Sequence, residues 1–282
     1  MGLILASINR KGGVGKTTTA VNLAHGLAQK LAANEGGNVI IVELDPQGDV
    51  SRALGIMPSG KCISKVLTRH VSLRDSIISA NRKSDGGPER PNLYVLPATD
   101  RLKRAKSYLV AQTALASANF TLDDEESIPI DDLLVYHLSP LRTAFKFIII
   151  DCPPSLDLFE TAVYKFADQA IVPVKVDFHG AAATVNHTSN ILSEQESGID
   201  IKIGAIVPTF VRSRQKLARQ MLKSLEHRYG KNIVSDPIPG TVIVEQSPAL
   251  GGLTLFESAP DSVPTSAYQS LVNKFYEEGK QS

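Results

Sequence analysis

Lys11-Gly12-Gly13-Val14-Gly15-Lys16-Thr17-Thr18 stands just after the apolar run Leu3-Ile4-Leu5-Ala6-Ser7-Ile8 and just before a helical pattern. A buried strand, a glycine-rich loop and a helix in that order make a grip for phosphate. Backbone N–H groups can wrap an anion only where side chains do not block them, and Gly12, Gly13 and Gly15 remove that obstruction while tolerating positive φ. Lys16 is positioned to meet the β- and γ-phosphates as a point charge, and the Thr17 hydroxyl suits Mg²⁺. The helix opening at Gly15 aims its free N–H groups and positive dipole end at the same anion. The expected ligand is a nucleoside triphosphate.

The common pattern G-x-x-x-x-G-K-[ST] fails at its first glycine, where this chain has Arg10, and a second lysine, Lys11, precedes Lys16 by five residues. A dinucleotide reading is weaker, because Gly13-x-Gly15 is followed by Thr18 where a third glycine is required. Lys-Gly-Gly-x-Gly-Lys-Thr resembles the deviant Walker A motif of the ParA/MinD family of ATPases. Two further segments extend the resemblance. Val39-Ile40-Ile41-Val42-Glu43-Leu44-Asp45-Pro46-Gln47-Gly48 reads as a buried strand ending in carboxylates. In the family segment it is similar to, the aspartate before the proline polarises the attacking water, which points to Asp45. Glu43 stands where family members usually have aspartate. Phe147-Ile148-Ile149-Ile150-Asp151-Cys152-Pro153-Pro154-Ser155 resembles Walker B, with Asp151 at a strand's C-terminal end, where it can hold a water of the Mg²⁺ shell.

The resemblance implies a P-loop NTPase fold of α/β class: one doubly wound, mostly parallel sheet flanked by helices, spanning residues 1–282. It further implies ATP and Mg²⁺ as ligands, with catalysis on Lys11, Lys16 and Asp45. The nucleotide would be held by Lys11, Gly12, Gly13, Val14, Gly15, Lys16, Thr17 and Thr18, and the metal by Thr17 and Asp151. Asp236-Pro237-Ile238-Pro239 is similar to the family segment bordering the adenine, which makes Pro239 and Thr209 expected base contacts. A homodimer closed on ATP would bring Lys11 of each protomer to its partner's phosphates.

Composition agrees with this class. At 43% hydrophobic, the chain can bury a full core, and no Pro/Gly/Ser-rich linker divides it. No apolar run approaches the ~18 residues that span a bilayer, and the N-terminus lacks a basic signal region. Two scattered cysteines, Cys62 and Cys152, suggest packing residues in a cytoplasmic protein and rule against a disulfide framework or an iron–sulfur ligand set. A first strand at Leu3 leaves no room for an extra DNA-reading domain, so site-specific repression is not expected. Ala170–Val174 and Ile201–Val207 read as later strands, joined by a helix from about Ala181 to Glu196, and Ser262–Glu278 reads as the last helix. The family pattern stretches around residues 113–132, where an acidic run from Asp123 to Asp132 reads as a solvated insertion.

The net charge is only +1, yet Arg212–Lys231 carries seven Lys/Arg against Glu226 alone. On a helix, Arg212, Lys216, Arg219 and Lys223 fall within ~60° of one another, with Leu217, Met221 and Leu225 opposite. Such a stripe, with Arg214 beside it, is expected to bind DNA phosphates. ParA proteins resembling this chain bind double-stranded DNA without sequence preference in their ATP-bound dimeric state, and a ParB-like or other adaptor stimulates hydrolysis. The expected function is therefore cargo positioning or partition on the nucleoid. A membrane-attached role as in MinD is disfavoured by Glu277 and Glu278 in the closing helix, which anionic lipid would repel. An ATP-dependent metabolic enzyme of the same fold is the other alternative.

Overall fold

The computed structural model describes all residues except 35, 59, 118–127, 157–158, 177–187, 189, 213–214, 247–251 and 282. Among them lie seven strands: β1 (Leu3–Ser7), β2 (Val39–Glu43), β3 (Ile78–Ser79), β4 (Leu93–Leu96), β5 (Phe147–Asp151), β6 (Gln169–Lys175) and β7 (Lys202–Thr209). They form one sheet in the order β3-β4-β2-β5-β1-β6-β7. All neighbours are parallel except the short edge pair β3–β4. This is the doubly wound arrangement expected. Burial on both faces explains the unbroken apolar strands. Along β1, Leu3 and Leu5 pack into one core cluster while Ile4 and Ala6 pack into the other, as the two-residue pleat requires.

The helices between Lys16 and Ala144 are α1 (Lys16–Ala33), α2 (Asp49–Leu54), α3 (Ile63–Leu67), α4 (Leu73–Ser76), α5 (Arg101–Ser117), α6 (Leu133–Leu138) and α7 (Leu141–Ala144). After β5 come α8 (Glu160–Phe166), α9 (190–196), α10 (Lys216–Tyr229), α11 (Val242–Gln246), α12 (Leu255–Ser258) and α13 (Val263–Gln281). Most of the stretch before 190 that was expected to be helical lies outside the described residues. Of the expected acidic insertion around 113–132, residues 113–117 continue α5, Ile130–Asp132 form a short 3₁₀ turn, and 118–127 lie outside the described residues. Pro264 occupies the first turn of α13, whose Ala267, Leu271 and Phe275 are buried against α1 and the sheet.

Strand register places the chemistry. Ser7 pairs with Asp151, and Asp151 pairs with Glu43, so the C-terminal ends of β1, β5 and β2 carry three polar side chains in one row. Each of the three is fully buried. The glycine-rich loop starts at one end of this row and the Asp45 turn leaves from the other.

Candidate nucleotide site and cationic helix

The loop between β1 and α1 is fixed by side chains below it. The Ser7 hydroxyl donates to Lys16 O (3.0 Å), and the Lys11 amide donates to Asn9 Oδ1 (2.9 Å). Asn9 Nδ2 in turn donates to Pro173 O (2.8 Å) at β6. Thr209 Oγ1, from the end of β7, donates to Val14 O (2.9 Å). Three strands thus hold one loop. Gly13 (φ 66°) and Gly15 (φ 88°) adopt the left-handed conformation that penalises any Cβ, whereas Gly12 does not, so its value lies in openness alone. The start of α1 has neither a side-chain cap nor an acidic first turn, which leaves its dipole end to an anionic ligand.

Lys16 is 6% exposed and folds back to donate to Lys11 O (3.1 Å); burial pushes its pKa down, with Asp151 pulling the other way. Thr17 Oγ1 donates to Asp151 Oδ2 (2.8 Å). Asp151 Oδ1 is buried and has no hydrogen-bond partner. Burial holds the Asp151 carboxyl well above its usual range, helped by Glu43 and Asp45 nearby. A hydroxyl, a carboxylate oxygen already paired to it and a second carboxylate oxygen awaiting a partner suit a hard cation such as Mg²⁺. Asp45 lies half-buried beyond β2, its Oδ1 accepting from Gln47 N (2.9 Å), within electrostatic reach of Lys16 and Asp151. Lys11 and Thr18 line the half-buried rim of the same loop.

Glu43 is turned away from the phosphate side. Its Oε1 accepts from Val50 N (2.7 Å), and its Oε2 accepts from Ser51 Oγ and Ala98 N (both 3.0 Å). Burial pushes its pKa up to about 7, against the pull of these donors. Arg10, in the place of the usual glycine, reaches sideways to Glu160 of α8 (2.6 Å), which also accepts from Tyr164 OH.

Two expected base contacts have different surroundings. Thr209 is 2% exposed and donates its hydroxyl to Val14 O, so it supports the loop from beneath. Pro239 is bridged in parallel to Val211, with Gly240 N donating to Val211 O (3.1 Å), close to the end of β7. Sequence reasoning missed Ser7 and Asn9. The signal was a polar residue at the end of an otherwise apolar strand and an Asn just before the loop.

Away from the loop, Lys216, Arg219 and Lys223 are exposed on one side of α10, while Ala218, Met221 and Leu225 are buried on the other. Leu217 departs from the expected stripe: it is 45% exposed, because at ~100° per residue it sits at the boundary of the buried face and Ala218 takes its place. Arg212 is exposed but precedes the helix, and Arg214 lies outside the described residues. Cys62 and Cys152 are both buried, and burial pushes the Cys152 thiol up. Among the described residues no helix is long and apolar enough to cross a membrane.

A family model described as an AAA domain matches residues 2–201. Among curated proteins the chain is similar to the sporulation initiation inhibitor protein Soj of Bacillus subtilis, 29% identical over 254 residues covering 89% of each chain. It is equally similar to the chromosome partitioning protein ParA of Myxococcus xanthus, 29% identical over 255 residues covering 89% of this chain and 80% of that protein. Among solved structures, cobyrinic acid a,c-diamide synthase from Mycobacterium smegmatis with a bound ATP analog and magnesium superimposes with TM-score 0.73 at 24% identity, covering 99% of this chain and 96% of that one. That likeness is one of fold.

Proposed function

This chain belongs to the ParA/MinD family of P-loop ATPases, through the AAA domain matched over residues 2–201, and from that premise we propose that it is an ATP- and Mg²⁺-dependent switch that partitions or positions a cargo while tethered to DNA. The loop from Lys11 to Thr18 binds ATP. Thr17 and Asp151 hold Mg²⁺, which when bound neutralises phosphate charge. Lys16 pairs with the phosphates, and its burial keeps that cation short of water and strengthens the pairing. Asp45 orients and polarises the attacking water. Two protomers close on ATP, and Lys11 of each supplies a fixed cation where charge develops on the partner's transferred phosphoryl group. An adaptor protein completes the site, and hydrolysis reopens the dimer.

The observation that carries the DNA-tethered reading is α10, whose exposed cationic side backs onto a buried apolar one. The burial of α13 against the core supports a role away from membranes, since its apolar face is already occupied. The partition name of the Myxococcus relative supports the same reading. Binding to random-sequence duplex DNA with ADP, with ATP and Mg²⁺, and with Asp45→Ala plus ATP tests it. Binding should appear with ATP, persist in Asp45→Ala, and fall with log salt at a slope near ~ −0.9 per phosphate contact. Replacing Lys216, Arg219 and Lys223 by Ala should flatten that slope by about 2.7 per protomer. ATP hydrolysis without DNA binding in any state would instead favour the metabolic-enzyme reading.

A further inference from the structure

The Asp45 turn continues directly into α2, and α2 is gripped at both of its ends by buried charges that never face the phosphates. At its start, Glu43 gives its carboxylate to Val50 N, Ser51 Oγ and Ala98 N, joining the first turn of α2 to the segment after β4. At its end, Arg90 is 0% exposed and donates to Leu54 O (2.8 Å), to Gly252 O and, through two nitrogens, to both oxygens of Glu257 (2.8 Å each). Gly55, which closes α2, touches Gly252 so closely that a Cβ on Gly252 would stand 2.8 Å from Gly55 N.

The far grip leads back to the phosphate loop. Glu257 accepts from Thr254 N (2.7 Å), and the Thr254 hydroxyl meets His25 Nδ1 (2.8 Å) on α1. Leu255 N donates to Asn22 Oδ1 (2.9 Å), and Asn22 Nδ2 donates to Thr18 O (2.8 Å) in the first turn of α1. The far end of α2 is therefore referred to the helix that follows the glycine-rich loop, and the near end to the sheet. Simple helix capping would not need an arginine with no exposed surface, and burying that charge makes sense only where its four bonds fix something.

We propose that Glu43 and Arg90 are positioning residues for hydrolysis: together they hold α2, and through it the Asp45 turn, at the spacing from the phosphate loop that turnover requires. This rests on the reading of Asp45 as the water-orienting carboxylate. Glu43, where the family usually has aspartate, uses its extra methylene to reach α2 and Ala98 together. Its contribution is mechanical, made through protein donors on both carboxylate oxygens.

The test is steady-state Mg·ATP hydrolysis by the full chain, with each rate normalised to active sites titrated with a fluorescent ATP analogue. Glu43→Gln puts an amide N–H₂ against backbone donors, and Arg90→Lys keeps the charge but replaces a planar fork that makes four bonds with a compact group of three donors. Each should lower kcat by about 10- to 100-fold with KM for ATP held within about twofold, the signature of a misplaced group and not of lost binding. Glu43→Asp should recover part of the loss. Gly252→Ala, which pushes on Gly55 and removes no charge, should reproduce the kcat defect. A purely structural role predicts lower melting temperatures with kcat per titrated site unchanged, and that result overturns the proposal. Asp45→Ala separates the two layers. If it still turns over, the reading of Asp45 fails; if it is inactive while Glu43→Gln and Arg90→Lys run at the parent rate, the positioning inference fails. Should the variants not fold, amide exchange at Val50 in the unaltered protein decides, since rapid exchange there means no clamp.

Discussion

His25 carries a pH prediction whose size follows from its surroundings. The ring is 2% exposed, with Nδ1 2.8 Å from Thr254 Oγ1 and its edge toward Phe256. Burial lowers its pKa from 6.5 to about 4, while Glu257 pulls upward and Arg90 downward. The unfolded chain takes up a proton as pH falls through 6.5, and the folded chain refuses it until about 4. Stability is therefore lost as pH falls through that window, and the loss is complete below it. At 1.36 kcal/mol per pKa unit the full loss is roughly 3.4 kcal/mol, of which about 2 kcal/mol is reached at pH 5. Glu43 works in the opposite direction. Its folded pKa of about 7 lies above the ordinary 4.5, so it removes stability as pH rises between those values. A single pH profile would mix the two. His25→Asn places a non-titrating amide near the Nδ1 position and leaves Glu43 alone, so the difference between the two proteins isolates His25. Urea unfolding at pH 7.5, 6 and 5 should show the stability gap between parent and variant closing by about 2 kcal/mol toward pH 5. Parallel curves would mean that the ring is protonated or solvated in the folded state, and the account of this cluster would be wrong.

Gly15→Ala forces a left-handed Cβ at φ 88° although Thr209 Cγ2, at 3.6 Å, leaves space for it. The backbone cost of about 1–2 kcal/mol should appear as a lower melting temperature together with at least tenfold weaker ATP binding by calorimetry. Thr209→Val keeps the volume and removes the donor to Val14 O. ATP affinity should fall by roughly three- to tenfold, and an unchanged Kd would show that the loop does not depend on β7. ADP with Mg²⁺ should raise the melting temperature above ADP with EDTA, and Asp151→Asn should erase that difference while keeping the fold; a difference that survives the substitution removes Asp151 from the metal site.

The phosphate loop, the three strands around it and the carboxylates at their ends were legible because each signal is contiguous. Leu3–Ser7, Val39–Glu43 and Phe147–Asp151 are unbroken apolar runs, and parallel burial demands that pattern. Elements β3 and β4 were not legible. Two and four residues are too few to show a period, and Tyr94 interrupts the apolar character of β4. The face of α10 was read almost correctly, with the error at Leu217, where a one-residue rotation exchanges it for Ala218. The Arg90–Glu257 pair was beyond reach for a different reason. Its members are 167 residues apart, and a buried arginine looks like any surface arginine until the fold surrounds it. Thr209 shows a related limit, since family position suggested the base while the hydroxyl points to the loop.

The row formed by Ser7, Asp151 and Glu43 explains why neighbouring strand ends serve different purposes. All three side chains are buried at one level of the sheet, and desolvation raises the pKa of both carboxyls. Ser7 turns its hydroxyl proton to the loop backbone, and Glu43 already has protein donors on both of its oxygens. Asp151 alone keeps an oxygen without a partner. An unsatisfied buried oxygen costs about 1–3 kcal/mol, more when charged, and a fold tolerates that cost where an arriving group removes it. The longer side chain at position 43 goes with the same division: its carboxylate accepts from Val50 N and Ser51 Oγ of α2 and from Ala98 N, and Asp151 is left as the carboxylate of the row with an open oxygen.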